Sequence, residues 1–365
     1  MSDVIIVGGG FAGNFLAYKL ADKGISVKVF EEHRTIGYPS HCSGLVSRKG
    51  LSRLGILQEI LSRGMVLSAH RCLRIRAYNK SRIIQLSGDE LFVIDRPSLD
   101  RLLFEKAVNR GAEYYLGEKV SAIEKDGCIK IRTKHYRSKI VVDAEGAAKK
   151  LARGFVSRLT ETIPALQIDV SARSNKKTDG IIDIYFNTPD FFSWIIPIGD
   201  NVFRLGVASR WINDKYKFLS DLAKVKLGSF KVINIFGGLV NTGGPLDKFV
   251  FGKVALVGDA AGQTKPTTAG GIVWSGISAC LLAKVIELNI SGYVNMSAYE
   301  RLWEKLFGSH VLLMSMIRKI LYLGNPQTKL NFLLSLLPSV ITVSFDYDFQ
   351  FDLIQKLTMY SRKNH

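Results

Sequence analysis

The stretch YPSHCSGLVS, residues 38–47, sets a histidine and a cysteine side by side among small residues. A thiol next to an imidazole can donate a proton, ligate a metal or enter redox chemistry, and it can also simply pack as a small hydrophobe. The four cysteines, Cys42, Cys72, Cys128 and Cys280, form no C-x-x-C pair, and the six histidines are scattered without metal-ligand spacing. No metal site and no disulfide framework is therefore expected. Proton donor, contact residue and redox group stay open for Cys42, and a structural or solvent role for His41. A second segment, FSWIIPIGDNVFRLGVA at 192–208, brings Phe192 and Trp194 onto a strand. Such aromatic faces tolerate developing positive charge, although aromatic-rich strands also serve as plain core.

Residues 3–31 supply the element that gives these groups a context. DVIIVG has the continuous apolar run of a buried parallel strand, GGGFAG follows, AGNFLAYKLADKG reads as a helix ended by Gly24, and ISVKVFEE reads as the next strand, ending at Glu31. Gly8, Gly10 and Gly13 fit G-x-G-x-x-G in that strand–turn–helix setting. The first glycine allows the tight turn, the second allows close approach of a pyrophosphate, and the third allows the helix to pack on the strand. The phosphates would meet the positive end of the helix, and Glu31 would bind a ribose hydroxyl pair.

Further along, LFVID and a helix started by Pro97 and ended by Gly111 occupy 91–111. Residues 112–143 read as a β-meander with a hairpin turn at Asp126-Gly127. Short strands fill 163–249, KVALVGDAAG contains another buried strand, and a helix runs from about Gly271 to Leu288. The remaining 291–365 read as mostly helical and strongly apolar. The fold class expected is α/β. A Rossmann-like dinucleotide-binding domain of the glutathione-reductase/hydroxylase type (1–50, 91–162 and 250–290) joins a mixed β-sheet substrate domain (51–90 and 163–249) and a helical C-terminal region (291–365).

Distant motifs choose the cofactor. GDAAG at 258–262, followed by KPTTAGGI and a helix, resembles the second flavin contact of the FAD-containing hydroxylase and reductase superfamily. The resemblance implies that Asp259 takes the ribityl chain and that Gly270, Gly271 and Ile272 line the flavin ring. A helix N-terminus there would favour the negative charge of reduced flavin. Arg96 resembles the superfamily's arginine before its second cofactor-facing helix, Val120 matches its adenine-contacting position, and DAEG at 143–146 resembles its further cofactor motif, with Glu145 in place of the usual aspartate. Ala12 completes the phosphate loop. Lys265, beside the flavin loop, either stabilises reduced flavin or faces solvent.

Within that superfamily the chain resembles the geranylgeranyl reductase family on two motifs. One is P-x-x-C-x-G, carried by Pro39, Cys42 and Gly44. The other is the tryptophan–proline strand, carried by Trp194, Pro197, Gly206 and Val207, with Phe192 and Ile196 where tyrosine and phenylalanine are usual and Ala269 where glycine is frequent. This implies an FAD-dependent reductase that saturates isoprenoid C=C bonds, including those of archaeal-type membrane lipids. Hydride would come from reduced flavin N5 and a proton from Cys42, His41, water or the flavin. Phe192 and Trp194 would form the aromatic face, and His41, Cys42 and Gly44 a flavin-side loop.

Fifty Lys and Arg against 32 Asp and Glu leave a net charge of +18. The basic residues are dispersed and no nucleic-acid module is visible, so the balance points to an anionic membrane surface or an acidic partner rather than to nucleic acid. Ferredoxin and NAD(P)H are the candidate electron donors, although only one dinucleotide fingerprint is present. No stretch reads as long enough to span a bilayer, the late apolar run between Lys329 and Asp346 being 16 residues long and interrupted by Pro338. Residues 303–345 read either as helical core or as a cover for a lipid tunnel that dips into the membrane interface. MSDVIIVGGG enters a strand directly, which points to the cytoplasm, with peripheral contact at the inner face of the membrane. Two other readings share part of these features: an aromatic-hydroxylase-type monooxygenase, and a non-catalytic flavin-bearing electron carrier.

Overall fold

The computed structural model describes residues 2–172, 180–344 and 346–349. The chain divides into two compact units. The first comprises Met1–Pro39, Arg96–Thr162 and Asn241–Leu312, and the second Ser40–Asp95, Ile163–Val240 and Leu313–His365. The division falls at Pro39/Ser40, so His41, Cys42 and Gly44 belong to the second unit.

The first unit is built on a sheet in the order Val250–Phe251, Val254–Leu256, Lys134–Asp143, Ser2–Val7, Val27–Glu31, Glu113–Leu116. All neighbours pair in parallel except Val250–Phe251. The central strand Ser2–Val7 is almost wholly buried, which is why its sequence is a continuous apolar run. Helices Phe11–Ala21, Arg96–Asn109 and Ile272–Ile290 pack together beside it, with Phe11–Ala21 in the middle. An antiparallel meander, Ala122–Glu124 and Cys128–Ile131, extends from Lys134–Asp143, and Gly127 turns it at φ +90°. Val120 lies in the loop just before this meander rather than within it. Ile272–Ile290 corrects the reading that no stretch can span a bilayer, because its 19 residues and mean hydropathy of 1.4 suffice by composition. Eleven of its residues are buried within the fold, which makes it a core helix.

The second unit holds an eight-stranded mixed sheet. Its order is Phe230–Asn241, Thr162–Ala172, Val202–Ala208, Ser193–Gly199, Ile182–Tyr185, Cys72–Ala77, Lys80–Leu86, Val340–Val343. The pairs Ile182–Tyr185 with Cys72–Ala77 and Val340–Val343 with Lys80–Leu86 are parallel. Helix Lys215–Leu227 covers one apolar face, burying Leu219 and Ala223 against Ile168, Val170, Leu205 and Val207. A small sheet of Leu45–Ser47, Leu91–Ile94 and Val66–His70 stands beside it.

The C-terminal stretch departs from its helical expectation. Helices Ala298–Tyr322 and Pro326–Ser335 form, but Pro338 ends helical propagation, and Val340–Val343, rich in β-branched residues, adds a strand to the edge of the second sheet. Residues 345 and 350–365 of the expected helical region lie outside the described residues.

Candidate active site

In the first unit the glycine turn is shaped by its neighbours. A Cβ on Gly8 would lie 2.4 Å from the Ala144 carbonyl oxygen, and Gly8 has φ +108°. A Cβ on Gly13 would lie 2.0 Å from the Gly8 carbonyl oxygen. Both positions therefore exclude any side chain. A Cβ on Gly10 would meet nothing within 4 Å, so this glycine borders open space at the N-cap of helix Phe11–Ala21. Glu31 ends the second strand of the unit. Its carboxylate accepts from the Gly9 N–H at 2.6 Å and from the His33 N–H at 2.8 Å, which ties the acid to the turn.

Asp259 sits in the one-turn 3₁₀ segment Gly258–Ala261, closed by left-handed Gly262. A Cβ on Gly271, the N-cap of helix Ile272–Ile290, would lie 3.0 Å from Asp259 Oδ1. The carboxylate thus stands against a helix N-terminus, and it accepts no hydrogen bond from the described residues. Burial pushes its pKa up, and the nearby Lys149 and Arg96 cations pull it back. Loop 265–270 closes on itself: the Lys265 carbonyl accepts from the Ala269 N–H, and the Gly270 carbonyl from the Lys265 N–H. Lys265 is 1% exposed, which removes the solvent-facing alternative for it.

Arg96 opens helix Arg96–Asn109. There its guanidinium bonds Asp100 one turn on, at 3.1 Å, and covers the Phe11 ring. That carboxylate offsets the cation's poor placement at a helix N-terminus. Glu145 accepts from the N–H groups of Lys150, Leu151 and Ala152, so the longer side chain caps the turn that follows.

The residues fit a dinucleotide. The turn is sterically open at Gly10 alone, and an unclaimed acceptor stands at Asp259. Both belong to the cradle that a pyrophosphate and a polyol would fill. Residues 1–151 match the family described as FAD binding domain. The protein is an FAD-binding flavoprotein. It is 28% identical over 346 residues to an uncharacterized protein of Methanocaldococcus jannaschii, covering 88% of this chain and 85% of the relative. It is 27% identical over 392 residues to the digeranylgeranylglycerophospholipid reductase of Methanosarcina acetivorans, covering 99% and 94%. Among solved structures, a geranylgeranyl bacteriochlorophyll reductase-like protein from Thermoplasma acidophilum superposes with a TM-score of 0.81 at 23% identity, covering 92% and 90%. The myxobacterial chondrochloren halogenase superposes with a TM-score of 0.68 at 19%, covering 86% and 81%. These structural likenesses show the hydroxylase-type flavoprotein fold.

In the second unit of this flavoprotein, two motifs far apart in sequence meet on one sheet face. Trp194 pairs across strands with Gly206, and a Cβ on Gly206 would lie 2.2 Å from the indole ring, so the ring lies over bare backbone. Arg204, two residues earlier and therefore on the same face, forks onto Asp169 at 2.8 and 2.9 Å. A third donor of Arg204 reaches the Ser43 carbonyl at 2.7 Å, and its guanidinium covers Phe236. The loop of His41, Cys42 and Ser43 is thereby clamped beside Trp194. Gly238 adds to the clamp, since a Cβ there would lie 3.1 Å from His41. Cys42 Sγ accepts from the Gly44 N–H at 3.4 Å and is half-buried, whereas His41 is exposed. Gly44 has its own reason: at φ +79°, a Cβ would lie 2.4 Å from the Ile94 carbonyl oxygen. Phe192 stands edge-on to Trp194 with centroids 5.9 Å apart and stacks on Phe191 at 4.1 Å. The Trp194 Nε1–H is buried and bonded to none of the described residues.

Sequence reasoning missed Arg204, Lys149 and Gln167, whose side-chain amide donates to the His41 carbonyl at 3.5 Å. Arg204 was visible as the one charge inside a strand of apolar residues, VFRLGVA, which marks a buried ion pair. Lys149 left no signal, because its burial comes from tertiary packing.

Proposed function

We propose that the protein saturates isoprenoid C=C bonds of prenyl lipids, archaeal-type geranylgeranyl glycerophospholipids foremost. The observation that carries the reading is the meeting of Trp194 and the Cys42 loop on one sheet face, in an FAD-binding flavoprotein whose relatives bear reductase names. Gly8, Gly10, Ala12, Gly13, Glu31, Arg96, Val120, Asp259, Gly270, Gly271 and Ile272 hold the cofactor in this reading. When bound and reduced, FAD supplies hydride. Trp194 and Phe192 present aromatic faces that favour cationic character at the alkene carbon and keep water away from it. In this reading Cys42 is a candidate proton source. Both atoms added to the C=C bond are then accounted for, and the two electrons come from an external donor, an acidic ferredoxin or NAD(P)H. Peripheral contact with an anionic membrane at its cytoplasmic face fits the charge of +18 and the exposed apolar residues Ile320, Phe332, Leu336 and Leu337.

The test is anaerobic. The FAD-loaded protein is reduced with dithionite and mixed with digeranylgeranylglycerophospholipid while flavin absorbance is followed and the lipid is weighed by mass spectrometry. Flavin reoxidation with a gain of two hydrogens per double bond supports the reading. Reoxidation by oxygen alone, with an oxygenated product, would replace it with a monooxygenase, and reoxidation only by a protein acceptor would leave an electron carrier.

A further inference from the structure

The second unit has two cavities in which cations gather, and they differ in charge balance. The larger, about 570 Å³, is lined by Arg48, Lys49 and Arg71 but equally by Asp89 and Glu90, and Arg71 is already held by Glu90 at 2.7 Å. The smaller, about 290 Å³, is lined by Arg76, Lys80 and Lys226 and by no carboxylate. Its edges are the tip of the hairpin Cys72–Ala77/Lys80–Leu86, the segment after Ile182–Tyr185, and the start of helix Pro326–Ser335. Tyr185 lies between two of the cations, the Arg76 guanidinium at 5.6 Å and the Lys226 ammonium at 5.4 Å from its ring centre. Asp183 is shared by Arg76 at 2.7 Å and Arg74 at 3.5 Å, and no carboxylate is among the lining residues, so positive charge stays in excess.

The helix adds to this excess. Pro326 at its first position has no N–H, and the Asn325 side chain takes that of Thr328. Gln327, which lines the cavity, carries the first-turn N–H left over among the described residues. A helix N-terminus with a spare donor, set among three cations, is a phosphate site.

The same cavity borders the aromatic wall of the candidate active site through Phe186. Phe186 lines it, stands 5.7 Å from Phe192, and Phe192 stands 5.9 Å from Trp194. A ligand with a phosphate at one end and an apolar chain at the other fits this arrangement: the anion sits among Arg76, Lys80 and Lys226, and the chain runs past Phe186 and Phe192 toward Trp194. We propose that this cavity is the headgroup seat of a prenyl glycerophosphate lipid. The inference rests on the isoprenoid reading for the identity of the chain, and on the cationic cavity for the phosphate.

Binding tests it without turnover. The FAD-loaded protein is titrated in non-ionic micelles with a fully saturated diphytanylglycerophosphate, with diphytanylglycerol lacking the phosphate, and with free glycerol phosphate. The variant is Lys80→Gln/Lys226→Gln, whose two lysines are exposed and whose loss does not threaten folding. The expected result is a preference of about ten-fold or more for the phosphate-bearing lipid over the diol in the native protein, weakening with salt and collapsing in the variant while affinity for the diol stays unchanged. Equal binding of the two lipids, or a preference that survives in the variant, overturns the proposal. So does free glycerol phosphate binding as tightly as the lipid, since the aromatic wall would then contribute nothing. Loss of the preference in the variant alongside failure to reduce any lipid would retire the reductase reading and keep the headgroup seat.

Discussion

Replacing Lys149 by methionine should make the cofactor-free protein more stable. Lys149 is 1% exposed, and its ammonium has a single hydrogen-bond partner among the described residues, Thr160 Oγ1 at 2.6 Å. Two of its three donors are left without one. Burial lowers its pKa to about 8, against 10.5 for a free lysine, and the attraction of Asp259 offsets only part of that. The fall from 10.5 to about 8 corresponds to about 3 kcal/mol against the charged form in the fold. Because the folded pKa lies below the unfolded one, this cost is fully present below pH 8. It shrinks as pH rises from 8 to 10.5 and is absent above. The native protein should therefore gain on the Lys149→Met variant by about 1.4 kcal/mol per pH unit across that window. Below pH 8 the variant should be ahead by up to about 3 kcal/mol, less whatever Asp259 loses when its neighbouring cation goes. Urea unfolding of both cofactor-free proteins between pH 7 and pH 11 measures the difference directly. A variant that is less stable at pH 7, or a difference that does not change with pH, would refute the reasoning. The cost is tolerable in a protein that needs a cation close to Asp259, so the same variant should bind FAD more weakly at pH 7, read from quenching of flavin fluorescence.

Four other substitutions separate packing from chemistry. Gly10→Ala should leave the midpoint of thermal unfolding of the cofactor-free protein nearly unchanged while weakening FAD binding, whereas Gly13→Ala should destabilise it by at least 1–3 kcal/mol, since its Cβ meets the Gly8 carbonyl at 2.0 Å. Gly206→Ala should displace the Trp194 indole, cutting alkene reduction at least ten-fold while FAD affinity is retained; equal losses of both would argue against a role for Trp194 beyond packing. Ala269→Gly should stabilise the protein by about 1 kcal/mol in urea unfolding, because Ala269 is held at φ +55°, where a Cβ is disfavoured.

What was legible in the sequence follows the range over which each constraint acts. Gly8, Gly10 and Gly13 answer to contacts made inside a single strand–turn–helix, so their spacing alone announces them. Asp259 and Gly271 do the same within a second such unit. The second sheet is another matter. Its pairing of Ile182–Tyr185 with Cys72–Ala77, more than a hundred residues apart, has no local signature, and neither has the use of Val340–Val343 as an edge strand, where Pro338 and the β-branched run were the only hints against a helix. Cys42 lies between these cases. Its motif was readable, but the reason for the motif was not. The structure divides that motif by cause: Gly44 answers to the Ile94 carbonyl, the loop before it answers to Arg204, and half-buried Cys42 has the Gly44 N–H as its one hydrogen-bond partner among the described residues. A half-buried thiol with a single polar contact is the one to test for chemistry. Cys42→Ala that keeps FAD affinity and loses lipid reduction would mark Cys42 as a chemical group, and a loss of FAD affinity would mark it as a cofactor contact.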